Sequence, residues 1–180
     1  MSMGAYKGMP LVLVRQWAAQ ARVEGKLYEG LSPEDQRQLR IVMATSWVPV
    51  ELATRVFLVA APLLFAADPA PLRRLGRELA ADNFRGVFRY VAQLSSVEGL
   101  LNRTALFWRA YHDQGQAQAH RVHERLVRFE VTGYPGLPER MRETICGWLA
   151  HAIELTGATQ VSVTKSDENE QIYRWAVSWR

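Results

Sequence analysis

The chain contains a single cysteine, Cys146, so it can form no internal disulfide and cannot build a cysteine-rich metal cluster. Cys146 falls on or beside the apolar stripe of a C-terminal helix, where a free thiol behaves as a small buried hydrophobe. The sequence offers it no electropositive, accessible setting of the kind that activates a nucleophile. Long apolar runs are also missing. The longest covers residues 56–67, is interrupted by Pro62, and is too short to span a bilayer, so no transmembrane segment is expected. No basic segment leads into a cleavable apolar core at the N-terminus, which makes the cytoplasm the expected location. There is no phosphate-binding glycine loop, no nucleophile elbow, no repeat and no low-complexity tract. Lysine is scarce: the net charge of +4 is carried almost wholly by arginine, enough for modest attraction to anionic partners.

What is present suits one globular domain over residues 1–180. The hydrophobic fraction is 48%, and six Trp, six Tyr and six Phe can fill a core. The C-terminal third is the most legible. Val127, Phe129 and Val131 alternate with Arg128 and Glu130, giving a strand with one apolar face. Tyr134, Pro135 and Gly136 break it. Pro138 then suits the first turn of a helix in which Met141, Ile145, Trp148, Leu149, Ala152 and Leu155 form one stripe, and Gly157 is placed to end it. Residues 159–164, with Val161 and Val163 on one face, are joined through a polar turn at residues 166–169 to an alternating run of Tyr173, Trp175, Val177 and Trp179. That pattern predicts a hairpin, with the first strand in the same sheet and the helix packed on it.

The N-terminal two-thirds read as helical. Pro10 opens a helix over residues 11–21 with Leu11, Val14, Trp17 and Ala21 on one face. Gly25 and Gly30 bracket a loop. Ser32, Pro33, Glu34 and Asp35 make a helix start with Ser32 as N-cap. A helix after residues 48–51, with Ser46 as candidate cap, is apolar around much of its circumference and is expected to be the central buried one, kinked or ended by Pro62. Asp68 and Pro69 start the next, with Leu72, Leu75 and Leu79 inward and Arg73, Arg74 and Arg77 outward. Asn83 and Gly86 suggest a break before residues 87–94. Ser95 or Ser96 then caps a helix through Leu100, Thr104, Phe107, Trp108 and Tyr111, which Gly115 ends. Residues 116–125 lead into, and extend, the first strand. Helices precede strands, so the fold class is α+β rather than a doubly wound sheet.

A Lys7-Gly8 pair leading into a helix, a helical N-terminal region and a closing strand, helix and hairpin resemble the superfamily of haem–nitric oxide binding domains, 4-vinyl-reductase-type domains and TRAPP vesicle-tethering subunits. Within it the chain is most similar to a paralogous bacterial family of unknown function. The residues carrying the likeness are Leu75-Gly76-Arg77, the run from Phe107 and Trp108 through His112 to Gly115, and Gly147. The resemblance implies a non-enzymatic binding or regulatory domain in signalling, taking a small apolar ligand or a protein partner. A second reading is a self-associating assembly subunit, a homodimer through the helix over residues 50–64. A third, ranked below these, is a haem-based gas sensor. The haem members use an axial His and a Tyr-x-Ser-x-Arg motif, and no tyrosine here begins that motif: Tyr134 continues as Pro135-Gly136-Leu137. No cofactor is therefore expected.

The candidate sites follow. His120 and His123 are three apart, so on a strand they face opposite ways and could not share a metal. His112 and Asp113 sit at a helix end, where a charged His complements the dipole. A triad of Ser95, His112 and Asp113 is disfavoured because Ser95 or Ser96 is needed as a cap, and no catalytic residues are assigned. Arg73, Arg74, Arg77, Arg85 and Arg89 are the densest basic stretch. Phe84, Phe88 and Tyr90 lie among or beside these arginines, but Glu78 and Asp82 are available as ion-pair partners, so a solvated helix face is expected rather than a nucleic-acid site. Trp108, Arg109 and His112 are the candidate ligand- or partner-binding residues.

Overall fold

A computed structural model describes residues 4–86, 96–166 and 172–180. The stretch 87–94 that follows the expected break, with Phe88, Arg89 and Tyr90, and likewise Ser95 and the turn residues 167–169, lie outside them. The described chain runs β1 (Ala5–Lys7), α1 (Met9–Gln20), α2 (Glu24–Glu29), α3 (Pro33–Ile41), β2 (Trp47–Pro49), α4 (Val50–Leu64), α5 (Pro71–Arg85), α6 (Val97–Leu101), α7 (Thr104–Tyr111), β3 (Gln116–His123), β4 (Leu126–Thr132), α8 (Glu139–Glu154), β5 (Ser162–Ser166) and β6 (Ile172–Ser178). The architecture is α+β, with helices packed on an antiparallel four-stranded sheet of order β3-β4-β6-β5.

The alternating runs behave as their period dictates. Val127, Phe129 and Val131 on β4 and Tyr173, Trp175 and Val177 on β6 are all buried, and they pair directly as Val127 with Val177, Phe129 with Trp175 and Val131 with Tyr173. Trp175 is fully enclosed and its indole N–H donates to the Arg142 carbonyl on α8. The helix α8 buries Met141, Ile145, Leu149, Ala152 and Ile153, whereas Leu155 falls just past its end and is exposed. Val161 precedes β5 rather than lying in it.

Four local expectations are corrected. Residues 116–123 form a separate edge strand, β3, antiparallel to β4, rather than an extension of it. Gly25 lies inside a short helix, α2, which exists because Leu27 is buried beneath it. Ser46 does not cap α4, which starts after Pro49; its hydroxyl accepts from the Met43 amide. The helix expected through Leu100 and Phe107 is two, α6 and α7, divided at Asn102 and Arg103, and it is Ser96 that caps the first, accepting from the Gly99 amide.

The helical layer centres on α4, whose Leu52, Ala53, Val56, Phe57, Ala60 and Ala61 are buried. Pro62 is accommodated within its last turn. Leu58 is its only strongly exposed large apolar residue, so the face invoked for self-association is mostly covered by the rest of the chain. Ser32 caps α3 as expected, accepting from the Asp35 amide at 3.2 Å. Asp35 itself is buried and receives two bonds from Arg55, at 2.8 and 2.7 Å. The basic helix α5 is ion-paired: Arg73 to Glu143, Arg74 to Glu78 and Arg77 to Glu154. These pairs account for its outward arginines without a nucleic-acid partner.

Candidate functional site

The helices α5, α6, α7 and α8 close over the sheet around a cavity of about 90 Å³. Its walls come from Leu79 and Asn83 on α5, Leu100 on α6, Phe107, Trp108 and Tyr111 on α7, Ile145, Trp148 and Leu149 on α8, and Phe129 and Val177 from the sheet. The aromatic wall is continuous. Phe84, Phe107 and Trp148 stand 5.4 to 5.7 Å apart, and Trp108 contacts Phe129 at 6.3 Å. No Asp, Glu, Lys or Arg side chain lines the cavity among the described residues.

Polar atoms punctuate this wall. The Trp148 indole donates to Asn83 Oδ1 at 3.1 Å, so Asn83, expected to mark a helix break, is a buried acceptor inside α5. The Trp108 indole donates to the Gln114 carbonyl at 2.8 Å, beneath Gly115, whose φ of +81° turns the chain closely over that ring. Two atoms have no hydrogen-bond partner: Thr144 Oγ1 and His112 Nδ1, both buried and both on residues of the cavity wall. Burial pushes the Tyr111 hydroxyl up to about 12, so it is a neutral donor at physiological pH.

The candidate residues from sequence divide. Trp108 and His112 are brought together, ring on ring, with centroids 3.8 Å apart and planes within 6°. Arg109 points away: it is exposed, and its guanidinium folds back onto the Ala105 carbonyl. The reading of His112 as a charged residue at a helix end is corrected. It is 6% exposed, wedged between Trp108, Tyr6 and Tyr134, and burial lowers its pKa to about 3, so it is neutral. Asp113 is engaged elsewhere, accepting from the Ala5 amide at 2.5 Å and tying α7 to β1. Burial also raises the Cys146 thiol to about 11, as suits an inert core residue. Sequence reasoning missed Tyr6, Thr144 and the acceptor role of Asn83. The apolar part of that wall was signalled by the stripe of Met141, Ile145, Trp148 and Leu149.

Haem, raised by the sequence resemblance, can be tested on these residues. It requires an iron ligand and matched donors for two propionates. His120 and His123 are exposed on β3, and His151 is partly exposed on α8 with its Nδ1 4.0 Å from Glu154. Only His112 lines the cavity, and Trp108 covers one face of its ring. No cation lines the wall among the described residues to receive a propionate. Pockets for drug-sized ligands span about 300–1,000 Å³, well above the space found here. The described residues do not fit haem.

No family model matches the chain, and none of the curated proteins matches it. Solved structures do. An Fe(II) unliganded mutant H-NOX protein from K. algicida is similar at 11% identity with a TM-score of 0.64, over 97% of this chain and 96% of that one. A mutant of T. tengcongensis H-NOX is similar at 13% identity and a TM-score of 0.60, over 96% and 98% of the two chains. The oxygen complex of an oxygen-binding H-NOX domain related to soluble guanylate cyclases is similar at 12% identity and a TM-score of 0.61, over 96% and 92%. Among the folds raised by the sequence resemblance, these likenesses are to that of the haem–nitric oxide binding domains. The chain has the H-NOX fold.

Proposed function

We propose that this domain is a non-enzymatic sensor module whose cavity takes a small, uncharged, apolar ligand and passes its presence to a signalling or regulatory partner. One observation carries the reading: a cavity walled by aromatic and aliphatic side chains, free of charged groups among the described residues, in the space between the helices and the sheet. A mainly apolar space of this kind gains by accepting an apolar guest and would reject an ion, whose desolvation nothing there offsets. Trp108 would supply a flat apolar wall, and His112 and Thr144 the polar atoms open to one directional contact. The fold neighbours support the choice of a ligand-binding module over an assembly subunit. A haem-based gas sensor, the reading that the neighbours' names favour, is supported by the fold and opposed by the residues that would hold the group.

The test is native mass spectrometry of protein purified from cells, followed by thermal-shift measurement with indole, benzene and xenon. A co-purifying neutral molecule, or a rise in Tm with an apolar probe that Ala152→Trp abolishes by filling the space, is the expected result. A purely apo spectrum together with no shift from any probe would overturn the reading.

A further inference from the structure

Seven large apolar residues are strongly exposed among the described residues, and three of them fall within residues 41–47, where α3 ends, the chain turns and β2 begins: Ile41 at 78%, Met43 at 65% and Trp47 at 46%. The other four are scattered: Leu58 on α4, Leu106 on α7, Val122 on β3 and Leu155 just past the end of α8. The turn is not loose. The Ser46 amide donates to the Met43 carbonyl at 3.0 Å, the Met43 amide to Ser46 Oγ at 3.3 Å, and the Gly8 amide to the Ser46 carbonyl at 2.8 Å. Gly8 packs so closely that a Cβ there would fall 2.2 Å from the Met43 carbonyl oxygen. Trp47 is registered against Lys7 in the β1–β2 pair. The exposure of these side chains is therefore fixed by the fold.

Cations adjoin this stretch. The Lys7 ammonium stands 4.4 Å over the Trp47 ring, Arg40 stacks 4.9 Å from the Tyr28 ring, and Arg15 donates to the Leu39 and Arg40 carbonyls at the end of α3. Residues 36–50 contain no Asp or Glu. Three of the acids that flank the region are engaged: Glu34 by Arg37 and Gln38, Asp35 by Arg55, and Asp113 by the Ala5 amide; the fourth, Glu51, has one carboxylate oxygen buried without a hydrogen-bond partner.

We infer that this turn docks the protein on an anionic lipid surface. Ile41, Met43 and Trp47 would enter the headgroup boundary, and Lys7, Arg15 and Arg40 would meet acidic headgroups. A tryptophan beside cations suits that boundary, where its ring has an apolar body and a polar tip. Area argues against a protein occupant. A stable protein interface buries about 800 Å² per partner, which a single seven-residue turn does not supply, whereas a bilayer needs only a few inserted side chains plus a cationic rim.

Co-sedimentation of the full chain with phosphatidylcholine vesicles, with and without phosphatidylserine, tests this. Expected are at least about five-fold more pelleted protein on the anionic vesicles, an effect that salt weakens, and a return to the neutral-vesicle level in Ile41→Ser/Met43→Ser. Both substituted positions are exposed, so the variant folds, as circular dichroism would verify. Leu106→Ser, at an exposed site elsewhere, should bind as the parent does. Equal pelleting on both vesicle types, or anionic binding that the double variant leaves intact, would overturn the inference. So would a lipid-free dimer abolished by the same variant, which would assign the turn to a second copy of the chain.

Discussion

Gly76 on α5 and Gly147 on α8 each sit against the other helix's backbone. A Cβ at Gly76 would lie 1.9 Å from the Thr144 carbonyl oxygen, and one at Gly147 would lie 1.8 Å from that of Arg73. These are backbone atoms, so neither contact can be relieved by a rotamer change. The two helices carry one wall of the cavity between them, and Asn83 and Trp148, bonded across the same interface, are held by this approach.

Gly147→Ala is therefore expected to destabilise the protein by about 3 kcal/mol, although alanine is the better helix former. Gly25→Ala, where nothing lies within 4 Å, should be neutral or slightly stabilising. Urea denaturation of the two variants checks the contrast. Equal stability at Gly147 would mean that the helices are not so close.

His112 gives a pH signature. Its folded pKa, about 3, lies below its ordinary value, so the unfolded chain binds the extra proton between the two. Stability is then full above about pH 6.5 and falls as pH drops toward 3, by about 1.4 kcal/mol per unit. His151 is also lowered, mainly by burial, and shifts stability in the same sense; the lowered carboxyl of Asp35 acts at lower pH, below its unfolded value. His112→Phe isolates the term. Its stability should lose that slope between about pH 6.5 and 4.5, as followed by urea midpoints. An unchanged slope would show that His112 is not held neutral by burial.

Haem supplies a sharp negative outcome. The purified protein should show no Soret band, and titration with haem should give no stoichiometric complex, because no cation among the described residues lines the cavity and Trp108 stacks on its only histidine. A one-to-one complex lost on His112→Ala would reverse this and restore the gas-sensor reading.

The legibility of the chain follows from which physical signal each element carries. Strands β4 and β6 were readable because Val127, Phe129, Tyr173 and Trp175 alternate between a buried and a solvated face. Strand β3 was not, because it is an edge strand with Ala117 as its only fully buried residue, so its sequence carries almost no alternation. Ser32 announced α3 through a local hydrogen bond, while α2 depends on the burial of Leu27, a tertiary fact. At the site, Trp108 was visible as an aromatic at the edge of a stripe. The state of His112 was not, since its neutrality comes from burial, and two of the rings packed on it, Tyr6 and Tyr134, are far from it in sequence.

Thr144 tests how the cavity wall is tuned. Its hydroxyl is buried with no partner, a loss that a buried polar group ordinarily suffers only where something else requires it. Valine has the same shape without the oxygen and a similar helix propensity. Thr144→Val should therefore raise stability by about 1 kcal/mol in urea denaturation, the reverse of the usual outcome for a buried threonine. If the ligand takes a hydrogen bond from this hydroxyl, the same variant should lose affinity for the co-purifying molecule while binding benzene at least as well. A variant that is less stable than the parent would show that Thr144 Oγ1 has a partner, such as an ordered water, and that the wall is already satisfied without a guest.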